Sequence, residues 1–155
     1  MEPGIEFAQE LPGSPDARFC RHQYFAELSR RFDAGFDPRR GDPSDDADLA
    51  PPSGLFIIAR IEGNPVGCGG IKGLSAGIAE IKRVWTAPQT RGRGVASALV
   101  RHLEEAARAR GFSVLRLDTN RNLAEARALY LKAGYREIPR YNDNPYAHHW
   151  FEKVL

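Results

Sequence analysis

Apolar side chains recur every three or four positions between Asp16 and Phe32. This spacing places them on one side of a helix, so the segment is predicted to be an amphipathic helix. Gly35 follows closely and is expected to close it. The apolar positions that carry this prediction are Phe19, Tyr24, Phe25, Leu28 and Phe32.

Apolar runs of strand length come next. Leu55 to Ile61 and Pro65 to Gly70 are separated by Glu62-Gly63-Asn64, and this short turn sequence predicts a β-hairpin. A third strand is expected from Ile78 to Thr86, after a turn at Ser75-Ala76-Gly77.

The segment between the helix and the hairpin has a different composition. Phe36 to Pro52 is rich in Asp and Pro, as in Asp42-Pro43-Ser44-Asp45-Asp46. Because these residues favour turns over regular structure, the segment is predicted to be an exposed loop or a short helix.

The apolar period becomes helical again in the second half. Val95, Leu99, Leu103 and Ala107 predict a helix, with Gly111 as its C-terminal cap. A strand, a second helix and two final strands are expected to follow, and this order predicts a mixed α/β sheet. The strands are predicted at Phe112 to Leu117, Tyr135 to Ile138 and His149 to Leu155. The helix is predicted to begin with a capping box at Asn122-Leu123-Ala124-Glu125 and to run to Gly134.

Composition changes this picture little. The 155 residues, 42% of them hydrophobic, are expected to form one domain spanning residues 1–155. The first twelve residues lack a basic leader region, and the longest apolar run, Leu55 to Ala59, is too short for a membrane span, so we expect a cytoplasmic protein without a membrane partner. A net charge of +2 argues against nucleic acid as a partner. Cys20 and Cys68 are expected to be buried, reduced thiols.

The sequence Arg91-Gly92-Arg93-Gly94-Val95-Ala96 lies immediately before the predicted helix at Val95. The first turn of a helix leaves about four backbone N–H groups without partners and carries partial positive charge, which favours a bound anion. Glycines allow phosphate oxygens to approach those amides closely. The segment therefore predicts a phosphate-binding loop.

Two ordered motifs resemble the GNAT superfamily of N-acetyltransferases. Val84 to Ala96 resembles the family's acetyl-CoA motif, whose core Gln/Arg-x-x-Gly-x-Gly/Ala here is Arg91 to Ala96. A second segment resembles the family pattern downstream, and the resemblance extends roughly from Glu80 to Tyr135. It implies an α/β (α+β) GNAT fold, with a mixed, mostly antiparallel central sheet of six to seven strands flanked by about four helices. The second segment consists of Asn122, Ala126, Leu129, Tyr130, Lys132, Gly134 and Tyr135.

The resemblance also implies the cofactor. Acetyl-CoA would be the acyl donor, with its pyrophosphate on the amides of Gly92 to Ser97 and its pantetheine arm along the strand backbone at Val84, Trp85 and Thr86. Asn122 could cap its helix alone or also contact the cofactor. No metal is expected. The predicted cofactor-binding residues are Val84, Trp85, Thr86, Arg91, Gly92, Arg93, Gly94, Val95, Ala96, Ser97 and Asn122.

Acetyl transfer to an ammonium group needs two proton transfers. By the resemblance, Glu80 is the candidate general base and Tyr130 the general acid that protonates the CoA sulfur. Glu80 could instead pair with Lys82 on the same strand face, and His148 and His149 compete for the role of base. The alternative for Tyr130 is core packing.

An acceptor pocket is expected between the N-terminal helix and the tail from Tyr141 to Phe151, which is rich in aromatic and polar donors. The acceptor would be a primary amine of a small molecule or a peptide. A metal site at the two histidines with Asp143 lacks a third ligand at a suitable spacing. A homodimer is an expectation from the family alone. The candidate acceptor-binding residues are Arg21, Tyr24, Tyr146 and His148.

Two other functions fit parts of the sequence. Gly92-x-Gly94-x-x-Ser97 approximates a dinucleotide-binding Rossmann fingerprint, with Asp118 at the end of the next strand, but Ser97 replaces its third glycine. The other alternative is a non-catalytic CoA-binding sensor or interaction module. Retention of Glu80 and Tyr130 favours an enzyme over such a module.

Overall fold

The computed structural model describes residues 4–40 and 46–155. In this part of the chain, one sheet of seven strands is flanked by three α-helices and two short 3₁₀ segments, Asp46–Leu49 and Pro88–Thr90. The strands are β1 (Ile5–Gln9), β2 (Gly54–Ile61), β3 (Asn64–Ser75), β4 (Ile78–Thr86), β5 (Val114–Thr119), β6 (Arg136–Ile138) and β7 (His149–Val154). The helices are α1 (Pro15–Arg31), α2 (Val95–Ala109) and α3 (Ala124–Lys132).

The strands lie in the order β1-β2-β3-β4-β5-β7-β6. The β4–β5 pair is parallel and all the others are antiparallel, so the predicted mixed, mostly antiparallel sheet is confirmed. The sequence analysis missed β1, an edge strand of five residues that pairs with β2. Its segment alternates irregularly between half-buried and exposed positions, and it therefore carries little of the period-two signal of a strand.

The start of helix α1 is set by Ser14 and Pro15. The Ser14 side chain accepts a hydrogen bond from the Ala17 amide at 3.2 Å, and Pro15 occupies the first helical turn. The helix ends at Arg31 and therefore does not run to Gly35, which has a positive φ of 75° in the following turn. The predicted loop at Asp42 to Asp45 lies outside the described residues.

Successive residues of β2 divide the core into two layers. Leu55 and Ile57 pack in the cluster that contains Leu99 and Leu103 of α2, whereas Phe56 lies in a second cluster with α1. Because side chains alternate across a strand, α1 and α2 lie on opposite faces of the sheet. No helix within the described residues is long and apolar enough to cross a lipid bilayer.

Strands β4 and β5 separate along their length. They pair only from Ile78 to Glu80 on β4, opposite Val114 to Arg116 on β5. The remainder of β4 pairs with β3 alone, which leaves its other edge open from Ile81 onward. The result is a gap in the sheet beside the end of β4.

The capping box predicted at Asn122 to Glu125 is wrong. Leu123 occupies the N-cap position of α3 and makes no side-chain hydrogen bond there. The side-chain amide of Asn122 instead donates to the Arg31 carbonyl at 2.9 Å and to the Asp33 carboxylate at 3.1 Å. The side chain of Asn122 is thus engaged by the end of α1, and no side-chain hydrogen bond caps the start of α3. Gly111 does cap α2 as predicted, with φ at 87°.

Candidate functional site

A cleft of about 490 Å³ runs along the end of β4 and the start of α2, and we call it the loop cleft. Gly92 and Gly94 there have φ values of 83° and 80°, a conformation that glycine adopts without strain. The first backbone N–H of α2 to make a helical hydrogen bond is that of Ala98, which donates to the Gly94 carbonyl at 3.0 Å. The N–H groups before it in the first turn are therefore available to bind an anion. The residues of this loop that form the cleft wall are Arg91, Gly92, Gly94, Val95, Ala96 and Ser97.

The end of β4 forms the second wall of the loop cleft. Val84, Trp85 and Thr86 line it, and the ladder to β3 is interrupted just before them, between the pairs Gly70–Lys82 and Cys68–Trp85. Arg83 lies in this bulge with a φ of 56°, which is rare for a residue with a side chain. The bulge lies beyond Glu80, where pairing with β5 ends, and therefore falls on the part of β4 that borders the gap in the sheet.

Charged side chains bridge the mouth of the loop cleft. The Arg91 guanidinium donates to Glu27 at 2.5 Å and to the Thr86 carbonyl at 3.2 Å. Glu27 also pairs with Arg31 at 3.5 Å, and Arg31 makes a two-pronged contact with Glu125 of α3. These pairs tie α1, α3 and the glycine loop together around the opening.

A second, smaller cleft of about 120 Å³ lies between α1, the end of β5 and the C-terminal tail, and we call it the aromatic cleft. Its outer wall is a set of rings in mutual contact, with centroids 4.9–5.8 Å apart. Its polar lining consists of Lys82, Arg83, Asp118, Thr119, Asn120 and Asn144. The rings are those of Tyr24, Phe25, Phe32, Phe36 and Tyr146.

The two clefts meet at the gap between β4 and β5. Tyr130 lies at the junction, 5% exposed, and its hydroxyl has no hydrogen-bond partner within the described residues. Burial raises the pKa of Tyr130, and the nearby Tyr24 and Asp118 raise it further, so the phenol keeps its proton. Six residues line both clefts: Tyr24, Leu28, Val84, Leu123, Ala126 and Tyr130.

Comparison with known proteins decides the family. The model of the family described as Acetyltransferase (GNAT) family matches residues 21–135 of this chain. The chain belongs to the GNAT acetyltransferase family. It is therefore an acyl-CoA-dependent acetyltransferase, and the family acts on amine acceptors. Membership overturns both the Rossmann alternative and the alternative of a module without turnover.

Individual relatives agree with this assignment. A protein of Azospirillum brasilense named IAA acetyltransferase is 34% identical over 134 residues, which cover 86% of this chain and 85% of the relative. A GNAT-family acetyltransferase of Staphylococcus aureus Mu50 superposes with a TM-score of 0.82 at 16% identity, covering 98% of this chain and 99% of that one. A GNAT-family acetyltransferase of Elizabethkingia anophelis, solved with acetyl-CoA bound, has a TM-score of 0.66 at 17% identity, covering 97% and 98%. The fold is that of the family.

Most residues predicted for the cofactor of this GNAT enzyme line the loop cleft, but two do not. Arg93 is exposed and lies outside the lining, and Asn122 is turned toward Arg31 and Asp33. The residues brought together as predicted are Val84, Trp85, Thr86, Arg91, Gly92, Gly94, Val95, Ala96 and Ser97.

Glu80 is placed differently from the base that the sequence analysis expected. It is 2% exposed and does not occur among the described residues that line either cleft. Its carboxylate accepts hydrogen bonds from the Tyr141 hydroxyl at 2.5 Å, Lys82 at 3.3 Å and Asn142 at 3.3 Å. The pairing with Lys82 is therefore present, and the role of Glu80 as general base stays a prediction.

The acceptor residues also divide into two groups. Tyr24 and Tyr146 line the aromatic cleft, and their role in acceptor binding stays a prediction. Arg21 lies outside its lining and donates to the Pro12 carbonyl at 3.4 Å, and His148 accepts from the Arg121 amide at 3.0 Å. Within residues 4–40 and 46–155, no group of three or more His, Cys, Asp or Glu side chains could hold a metal ion.

Sequence reasoning missed the polar lining of the aromatic cleft. Asp118 was considered only as part of a dinucleotide fingerprint, and Phe36 was not considered as a site residue. Asn144 was included only as part of the tail expected to form a wall of the acceptor pocket. The alternation of β5, with Leu115 and Leu117 buried, could have placed Asp118 on the opposite face of the sheet. The sequence predicted a pocket between the N-terminal helix and the tail, but it did not show that Asp118 of β5 lines this pocket.

Proposed function

We propose that this enzyme transfers an acetyl group from acetyl-CoA directly to a primary amine of a small molecule. The observation that carries the proposal is the junction of two clefts at Tyr130, reached from one side by the glycine loop and from the other by the aromatic cleft. A direct transfer needs donor and acceptor to meet at one point from different directions. The gap between β4 and β5 supplies such a point.

The loop cleft suits CoA in size and chemistry. Its volume of about 490 Å³ lies within the range of about 300–1,000 Å³ that is usual for ligand sites. The amides at the start of α2 would bind the pyrophosphate, and the unpaired edge of β4 at Val84 to Thr86 would bind the pantetheine amides. Arg91 would exchange its contact with Glu27 for one with a phosphate group.

The reaction follows from this arrangement. The neutral amine attacks the thioester carbonyl carbon, a C–N bond forms, and the C–S bond then breaks to release CoA as a thiolate. The amine nitrogen loses a proton and the sulfur gains one, so that an ammonium substrate yields an amide, CoA thiol and one proton released to solvent. Tyr130 at the junction would donate its hydroxyl proton toward the departing sulfur.

The size of the aromatic cleft favours a small acceptor over a peptide. About 120 Å³ is well below the usual size of a ligand site and accommodates a short amine with a compact body. A peptide would need an extended groove, and the ring contacts among Phe32, Phe36 and Tyr146 close the outer side of this cleft.

A Tyr130→Phe variant tests the proposal, with Tyr135→Phe as its matched control. Thiol release from acetyl-CoA with an amine acceptor should fall by about a hundredfold or more in kcat for Tyr130→Phe, because general acid catalysis contributes on that scale. Tyr135 donates to buried Glu104 at 2.8 Å and lines neither cleft, so its variant should lose stability and keep kcat. Unchanged kcat in Tyr130→Phe would contradict the acid role.

Binding of the donor is tested separately by thermal unfolding with acetyl-CoA, CoA or NADH. A hundredfold excess over the dissociation constant stabilises a folded protein by about 2.7 kcal/mol, which is about 5–10 °C for a domain of this size. We expect this shift with acetyl-CoA and CoA. Absence of a shift with both would contradict the assignment of the loop cleft.

A further inference from the structure

The carboxylate of Asp118 is the anionic group of the aromatic cleft that the proposed reaction leaves unexplained. It lies near the end of β5, beyond the last residue that pairs with β4, and lines the cleft. The Asn142 amide donates to Oδ2 at 2.7 Å and the Asn144 amide donates to Oδ1 at 3.1 Å. Two amides of the C-terminal tail thus hold the carboxylate in place.

Two cations of the chain, Lys82 and Arg83, line the same cleft, and the Arg83 guanidinium lies 5.6 Å from the centroid of the Phe25 ring. Within the described residues Asp118 forms no ion pair, whereas Lys82 of the same cleft contacts Glu80 at 3.3 Å. A carboxylate has about four sites for accepting hydrogen bonds, and the two asparagines occupy two of them. The others remain for a ligand that donates hydrogen bonds and carries positive charge.

The surroundings of the carboxylate complete a site for an ammonium group. The rings of Phe25, Phe32, Phe36 and Tyr146 form a continuous apolar wall in the same cleft. Aromatic faces attract cations and also bury apolar surface. Tyr130 lies at the inner end, where the acetyl group would arrive, and Asp118 is near enough to affect its pKa.

We infer that Asp118 binds the ammonium group of the acceptor, and that the acceptor is a small primary amine whose apolar or aromatic body packs on the ring wall. The inference rests on the proposed acetyl transfer to an amine. Its physical basis is the juxtaposition of one carboxylate, held by two amides, with an aromatic surface at the junction of the clefts. Asp118 would select the amine and align it before a proton is lost.

Two probes of equal shape separate charge recognition from general damage. 2-Phenylethylamine is an ammonium ion at neutral pH, whereas O-benzylhydroxylamine has nearly the same shape and is uncharged there. In Asp118→Asn, KM for 2-phenylethylamine should rise at least about tenfold, because truncating one partner of a charge pair is costly. KM for O-benzylhydroxylamine should change less than about threefold, since that probe brings no charge to the carboxylate.

Asp143→Asn is the matched control. Asp143 lies on the same tail, is fully exposed and pairs with Arg140, so removing its charge should leave both KM values unchanged. Thermal stabilisation by acetyl-CoA should persist in both variants, which shows that the loop cleft is intact. If acetyl-CoA stabilised neither the variants nor the unaltered enzyme, the proposed function itself would be wrong. If the stabilisation persists, a failed KM prediction counts against the role of Asp118 alone.

Three results would overturn the inference. Asp118→Asn could raise KM equally for both probes, which would indicate a structural role. It could leave KM for 2-phenylethylamine within about twofold of the unaltered enzyme. Finally, the unaltered enzyme could bind acetyl-CoA and acetylate neither probe, which would exclude small aromatic amines while leaving the donor site in place.

Discussion

Replacing Gly94 by Ala separates the stability of the glycine loop from its binding of the cofactor. Gly94 precedes α2 with φ and ψ of 80° and 8°, which is the left-handed conformation. A Cβ added there meets no heavy atom within 4 Å, so the substitution causes no collision inside the protein. The cost to the free enzyme is therefore the backbone strain of an L-residue in this region, about 1–2 kcal/mol.

For the free enzyme this strain should lower the melting temperature by about 2–8 °C, given the size of the domain. Gly13→Ala is the matched control, because its added Cβ also meets nothing within 4 Å and its φ lies outside the left-handed region. That variant should stay within about 0.5 kcal/mol of the unaltered protein. An equal loss of stability in both variants would refute the role of the left-handed backbone.

The same variant should lose affinity for CoA. Gly94 lines the loop cleft, and a methyl group there would stand between a phosphate oxygen and the amides at the start of α2. Loss of one hydrogen bond to a charged group costs about 1.5–3 kcal/mol, or roughly a tenfold to hundredfold weaker dissociation constant. Isothermal titration with CoA measures this change. If stability falls and affinity does not, the phosphate does not bind against Gly94.

Two other predictions concern α1 and pH. Arg31→Ala removes the contacts of α1 with Glu125 and with the Asn122 carbonyl, and should cost about 1 kcal/mol because the ion pair is partly exposed. Arg31 lowers the pKa of the Glu125 carboxyl below its ordinary value of 4.5. The stabilisation by this ion pair is therefore present above pH 4.5 and is lost as the pH falls through the lowered pKa. Urea unfolding should show the stabilities of the unaltered enzyme and Arg31→Ala converging below about pH 4. Because burial raises the pKa of Tyr130, kcat at saturating amine should not decline between about pH 8 and 10, and a decline that vanishes in Tyr130→Phe would contradict this.

The network around Glu80 shows partners of a candidate catalytic residue that the sequence did not indicate. A glutamate on this strand can face a substrate or a neighbouring side chain. Which of the two it faces depends on the residues that pack around its carboxylate. Tyr141 and Asn142 are more than sixty positions away in the chain, yet both donate to its carboxylate. Their positions depend on the tail that folds back across the sheet, and no local pattern reports that path.

Asn122 shows the same limit for a helix cap. Its spacing to Glu125 is that of a capping box, but the end of α1 offers its amide a carbonyl at Arg31 and a carboxylate at Asp33. These partners turn the side-chain amide toward α1 and hold two helices together. A local preference worth about 1 kcal/mol was thus outweighed by a tertiary contact.

The sequence by itself determined the features whose causes are local. The start of α1 at Ser14 and Pro15, the length of α2, and the left-handed loop at Gly92 and Gly94 each depend on a few adjacent residues, and all three could be anticipated or explained from them. The phosphate-binding character of the loop follows from the same short segment, because the amides of a first helical turn are unpaired in any protein.

Only the tertiary structure decided which side chains line the aromatic cleft together. Phe25 of α1, Asp118 of β5 and Tyr146 of the tail come from distant parts of the chain and line one cleft, beside the edge of β4 that β5 leaves unpaired beyond Glu80. Each of these side chains alone has an ordinary structural explanation. Their joint chemistry depends on packing between elements, which is set by the burial of both faces of the sheet and leaves no mark at any single position.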